Sequence, residues 1–158
     1  MRIGIIGPSK LREKELIFSV AKIIADSGHE VILVSDKDSS SEFFALEYLK
    51  TGGKKVYSLI PLEDKEFGFS WVNQEIGEVI NCGTWRNQPE KLNEECDVLI
   101  SLGYSAGGLI EICYSKWFGK KPVYILDEFI DSKLPKELEK SLDLHYIGLG
   151  ELKEKLGE

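Results

Sequence analysis

The residues best suited to chemistry lie in one stretch, Gly103-Tyr104-Ser105-Ala106-Gly107-Gly108-Leu109-Ile110-Glu111. Gly103, Gly107 and Gly108 remove side chains where a backbone must approach another group closely or adopt a positive φ, and free amides in such a turn form a concavity for an anion. Glu111 then places a carboxylate about one turn into the helix that should follow. The plainer alternative is that the glycines only permit a tight strand-to-helix turn and that Ser105 only caps the helix. The same residues also spell G-x-S-x-G, the pattern of a hydrolase nucleophile elbow, and Asp127 and His145 follow in the chain order Ser, Asp, His. Against this serine-esterase reading, His145 opens a predicted strand and so falls at the opposite end of the sheet from Ser105. No HGGG-like oxyanion segment accompanies it.

The hydrophobic pattern supplies the elements that must position this stretch. Residues 2–6 form an apolar strand ended by Gly7-Pro8, and Ile17, Val20, Ala21 and Ile24 recur at helical spacing before Gly28. Residues 30–34 predict a second strand, and Ser39, Ser40, Ser41 and Glu42 offer caps for a helix carrying Phe43, Phe44, Leu46, Tyr48 and Leu49. A third strand follows at 55–60, after which residues 61–71 lose all periodicity and read as a loop. A strand at 78–82 and a short helix at 89–95 come next. The strand at 97–102 carries the apolar run Val98-Leu99-Ile100 and Leu102, which suits burial on both faces and the centre of a sheet. Ala106, Leu109, Ile110, Cys113 and Trp117 share one helical face, which makes Trp117 a core residue. A strand at 122–126, a helix at 134–142, an edge strand at 145–147 and a helix at 151–156 complete the chain.

This alternation implies right-handed crossovers and a single α/β domain, a doubly wound, mostly parallel, Rossmann-like sheet with helices on both faces. In such a sheet ligands bind beyond the carboxyl ends of the strands, where helix N-termini present unpaired N–H groups. That rule selects Gly7, Pro8, Ser9 and Lys10, the segment from Ser35 to Ser41, and Gly103 through Gly108.

Composition narrows the function. The 158 residues, 42% hydrophobic and 30% charged, suit one folded domain. A net charge of -7 repels polyphosphate chains, which argues against a nucleic-acid polymer as partner while leaving room for a mononucleotide. No leader-like or membrane-spanning run is present, so a cytoplasmic protein without a membrane partner is expected. Cys82, Cys96 and Cys113 lack zinc or redox spacing and should be reduced and mostly buried, and neither His29 nor His145 has a neighbour at metal spacing. No metal site is expected. The abundance of Lys and Glu over Asn and Gln resembles the composition of thermophile proteins.

The stretch Gly103 to Glu111, with Gly119-Lys120-Lys121-Pro122-Val123 downstream, resembles a degenerate PGGxGTxxE signature followed by GKPV. That signature belongs to the Lonely Guy (lysine decarboxylase-like) family and to the related molybdenum cofactor carrier-like proteins. Gly107 and Glu111 keep the family residues; Gly103, Tyr104, Ser105 and Gly108 replace the others, and Ser35-Asp36-Lys37-Asp38 stands where the family carries a glycine-rich turn. The resemblance implies a binder of a nucleotide or another phosphorylated small molecule, with no cofactor required. It extends either to a nucleoside 5'-monophosphate phosphoribohydrolase, with Glu111 and Arg86 as catalytic residues, or to a non-catalytic carrier or sensor. Glu111 would then hold a ribose hydroxyl or stabilise an oxocarbenium-like centre, and Arg86 would neutralise a phosphate. Trp85, beside Arg86, is a candidate wall for a base. The family's assembly implies a homodimer or higher homo-oligomer, for which Phe43, Phe44 and Tyr48 are candidate exposed contacts.

Overall fold

Crossovers of a dozen or more residues, most of them through a helix, bring the chain back to the same end of a sheet and let neighbouring strands run parallel, and in this chain every strand pair does. The computed structural model describes residues 1–157. Its strands are β1 (Arg2–Ile6), β2 (Glu30–Leu33), β3 (Val56–Ile60), β4 (Glu78–Asn81), β5 (Val98–Ser101), β6 (Pro122–Leu126) and β7 (Asp143–Ile147). They form one seven-stranded sheet in the order β4-β3-β2-β1-β5-β6-β7, parallel throughout. The expected α/β, Rossmann-like architecture is therefore present, with an entirely parallel sheet. The middle strand is β1, and β5, with every residue buried, lies beside it rather than at the centre.

Because side chains alternate across a strand, the sheet feeds two cores. Ile3, Ile5, Val31, Leu33 and Ile100 pack on one face against α1 (Lys14–Asp26), α2 (Ser40–Lys50) and, through Leu152 and Leu156, α6 (Leu149–Leu156). Ile6, Ile32, Leu99 and Ile125 pack on the other against α3 (Gln88–Glu95), α4 (Ala106–Tyr114) and the residues around α5 (Lys136–Ser141). The chain winds outward from β1 to β4 and then returns to β5, so the connections leaving β1 and β5 diverge and open a crevice at the C-terminal edge of the sheet.

Some expectations need correction. Phe44 and Tyr48 are fully buried between α2 and the sheet, and Phe43 is half-buried, so the first two offer no contact to another copy. Trp117 is 75% exposed because α4 ends at Tyr114 and tightens into a 3₁₀ turn, which carries the indole off the buried face. That face is built from Gly108, Ile112 and Ser115, not from Ile110, which stands half exposed. Strand β7 starts at Asp143, ahead of His145, and so gives His145 a mid-strand position. Cys82 and Cys96 are buried and Cys113 half-buried; burial pushes the first two thiols up to about 11 and about 12. No helix of the described residues is long and apolar enough to cross a membrane, and no group of metal-ligating side chains converges among them.

Candidate functional site

The turns after β1 and β5 and the start of α2 meet at the crevice. A Cβ on Gly7 would lie 2.9 Å from Ser41 Oγ and 3.3 Å from the Ser41 amide nitrogen, so a side chain there would crowd the first turn of α2 and displace the Ser41 hydroxyl. The turn is fastened there by Ser40, whose Oγ donates to the Lys10 carbonyl at 2.7 Å and whose amide donates to that of Pro8 at 3.3 Å. On the other side Gly103 adopts φ +125°, a conformation that strains a residue with a side chain. Ser105 then caps α4 by accepting the Gly108 amide at 3.1 Å. A Cβ at Gly108 would come within 2.8 Å of Ile6 Cγ2, whereas one at Gly107 would meet nothing within 4 Å. Gly108 is a packing requirement; Gly107 leaves open space in front of the helix.

The result is a cleft of about 440 Å³ lined by Ser9, Ser39 and Ser41 as well as by Gly7 and residues 105–108. Among the described residues the amides of Ser41, Ala106 and Gly107 have no protein acceptor, and each belongs to the first turn of a helix, where the macrodipole favours negative charge.

Two carboxyl groups line the same cleft. Burial pushes Glu111 up to about 7; the hydrogen bond from Gln88 Nε2 at 2.8 Å opposes the shift, and the neighbouring charge of Asp36 adds to it. Burial alone pushes Asp36 up to about 6, and its Oδ1 is shut off from water without a hydrogen-bond partner. Helix α3 holds α4 in place here, since Asn93 Nδ2 donates to the carbonyls of Pro89 (3.0 Å) and Glu111 (2.9 Å). No Lys or Arg lines the cleft. It therefore offers amide and hydroxyl donors to an anion, and two carboxyls that exchange protons near neutral pH.

Of the residues singled out in the sequence, Gly7, Ser9, Ser105, Ala106, Gly107, Gly108 and Glu111 come together in this cleft. Pro8, Lys10, Gly103 and Tyr104 instead line a second cleft of about 510 Å³, across a ridge made by Ser9 and Ser105. Ser35 is buried away from both, its Oγ donating to the Asn73 carbonyl at 2.8 Å. Arg86 is a correction. The chain turns Trp85 inward to the cleft, so the next side chain points out, and Arg86 sits exposed in an ion pair with Glu66 at 2.7 Å. The hydrolase triad is not assembled either. His145 pairs with Tyr124, which pairs with Ile100, so it lies level with mid-β5, two strands from β5 and short of the edge where Ser105 sits. Its Nε2 is 2.7 Å from Asp143 instead. Sequence reasoning passed over Asp36 and Gln88. Asp36 lay inside a segment that the strand-end rule had selected, but Gln88 carried no signal of its own.

No known protein-family pattern matches the sequence, and no curated protein matches it. Solved structures do match in fold over nearly the whole chain. The molybdenum cofactor binding protein from the phototrophic bacterium Rippkaea orientalis superimposes with a TM-score of 0.76 at 18% identity, covering 98% of this chain and 94% of that one. The molybdenum cofactor carrier protein from Chlamydomonas reinhardtii superimposes with a TM-score of 0.74 at 20% identity, with coverage of 98% and 94%. The chain thus shares the fold of molybdenum cofactor carrier proteins, one of the two groups that its glycine-rich motif resembles.

Proposed function

We propose that this chain is a binding protein for a phosphorylated small molecule of nucleotide or cofactor type, held in the cleft between the N-termini of α2 and α4. The observation that carries this reading is the convergence of the unpaired amides of Ser41, Ala106 and Gly107 with the hydroxyls of Ser9 and Ser41; the Ser39 hydroxyl is already spent on the Asp36 carbonyl at 2.6 Å. Such a cradle receives a phosphate through backbone donors and helix dipoles, without a basic side chain. The structural neighbours' names supply the cargo class. They bind or carry the molybdenum cofactor, and a carrier of that kind needs a site that holds its ligand without consuming it. The placement of Arg86 outside the cleft supports binding over turnover, because the expected phosphate clamp for hydrolysis is missing from the site.

The second reading is a nucleoside 5'-monophosphate hydrolase, and Glu111 favours it: a buried carboxyl raised to about 7 is suited to proton transfer at neutral pH. One set of measurements separates the two. Protein purified without chelators is assayed for molybdenum and phosphorus, and AMP is titrated by calorimetry while free adenine is followed. Retained molybdenum with phosphorus, or AMP binding without adenine release, is the expected result. A ligand present at about a hundred times its Kd should then stabilise the fold by about 2.7 kcal/mol. Adenine release that Glu111→Gln abolishes would establish the hydrolase instead. Failure of every phosphorylated compound to bind would overturn both.

A further inference from the structure

Residues between β3 and β4 form neither helix nor strand, yet they are closely built around one side chain, Trp85. Asp64 accepts the amides of Trp85 (2.9 Å), Phe67 (2.6 Å) and Gly68 (3.4 Å), and these donors, that of Trp85 foremost, hold its carboxyl below the usual carboxylate range. The Trp85 indole Nε1 donates to the Gly68 carbonyl at 2.6 Å. Trp71 stacks on the indole, with ring centroids 5.4 Å apart and planes within 10°. The excursion is tied in turn to the segment after β2, through an antiparallel bridge between Asp36 and Val72 and a 2.8 Å bond from the Lys37 amide to the Trp71 carbonyl.

Trp85 is therefore fixed at its backbone, at its ring nitrogen and by its stacked neighbour. It lines the phosphate cleft, while Trp71 lies outside the lining. A side chain already immobilised by folding loses little further entropy when a ligand packs against it. The apolar part of the lining includes Trp85, Pro89 and Ile110, and the carboxyls of Asp36 and Glu111 lie in the same cleft. A bare sugar phosphate would leave that apolar surface uncovered; a flat ring with polar edges would cover it and satisfy the carboxyls.

Resting on the phosphate-binding reading above, we propose that the ligand's other end is a flat aromatic heterocycle that stacks on Trp85 and directs its hydrogen-bonding edge toward Asp36 and Glu111. Trp85 is thus the residue that selects heterocycle-bearing phosphates over sugar phosphates.

The test titrates AMP, FMN and ribose 5-phosphate into the full chain, reading tryptophan fluorescence and calorimetric Kd. At least one of AMP and FMN should bind about tenfold or more tightly than ribose 5-phosphate, as a stacked base requires, and should quench the fluorescence. The preferred compound tells a purine-sized ring from a larger one. Trp85→Leu should remove that preference and the quenching while leaving ribose 5-phosphate binding unchanged, which also shows that the variant is folded. Trp85→Tyr should restore most of the preference. Equal affinity for all three compounds in the parent chain overturns the proposal, and so does an equal loss for all three in Trp85→Leu together with Trp85→Tyr, which would make the stack a brace for the loop only. If none of the three binds, this inference falls; the phosphate-binding reading falls with it when the purified protein also retains no molybdenum with phosphorus.

Discussion

The ridge of Ser9 and Ser105 separates two clefts of similar size that differ in nearly everything else. The one on the β2 side, about 440 Å³, has unpaired helix amides, desolvated carboxyls and a braced indole; the one on the β6 side, about 510 Å³, is lined by Lys10, Arg12, Glu13, Glu128 and Asp131. The charged groups of the second cleft are mostly exposed, and the Glu128 carboxylate is already engaged with the Leu149 amide at the start of α6, at 2.9 and 3.1 Å. Volume therefore does not distinguish a binding site from a surface hollow. Helix-end amides without a protein acceptor, facing a wall that also holds carboxyls and an indole, do, because a ligand can pair with them.

The comparison is broken most directly at Gly107. Its Cβ direction is open, so Gly107→Leu should leave the unfolding midpoint nearly unchanged yet fill the β2-side cleft, weakening AMP binding about a hundredfold by loss of most contacts. Calorimetry beside urea denaturation checks both halves, and an unchanged Kd would place the ligand elsewhere.

A smaller effect concerns pH. Glu111 binds its proton more tightly in the folded chain than in the unfolded one, so stability should fall as pH rises from the ordinary carboxylate range through about 7. The full shift corresponds to about 3 kcal/mol. Glu111→Gln should flatten that part of the profile and exceed the parent chain in stability at pH 8, measured by urea denaturation at pH 5 and pH 8. A parallel profile in the variant would show that Glu111 is not desolvated.

The smallest effects belong outside the favoured cleft. Arg86→Ala removes an exposed ion pair and should cost no more than about 0.5 kcal/mol, and the Lys10→Ala, Arg12→Ala double variant should change AMP affinity less than about twofold. A large loss in the double variant would move the phosphate across the ridge and reverse the comparison.

The architecture was legible because it depends on periodicity. Apolar strands such as residues 2–6 and 30–34 and the spacing of Ile17, Val20, Ala21 and Ile24 are local patterns, and parallel pairing follows from their alternation with helices. Trp117 was misread for a reason that periodicity does not contain: one tightened turn at the end of α4 changes which face it occupies. Phe44 and Tyr48 were misread because an aromatic on an amphipathic helix fits a core as well as an interface, and only the packing of α2 on the sheet decides which.

The sequence by itself determined the fold class and the turns at which a ligand could be received, since strand ends and helix starts are set by neighbouring residues. Tertiary structure alone decided which groups face one another there. It separated Glu111 from Arg86, joined Glu111 to Gln88 and Asp36, and seated Trp85 on a loop with no pattern. The physical reason is that burial and proximity, which raise a carboxyl to about 7 or fix an indole, depend on segments far apart in the chain being brought together.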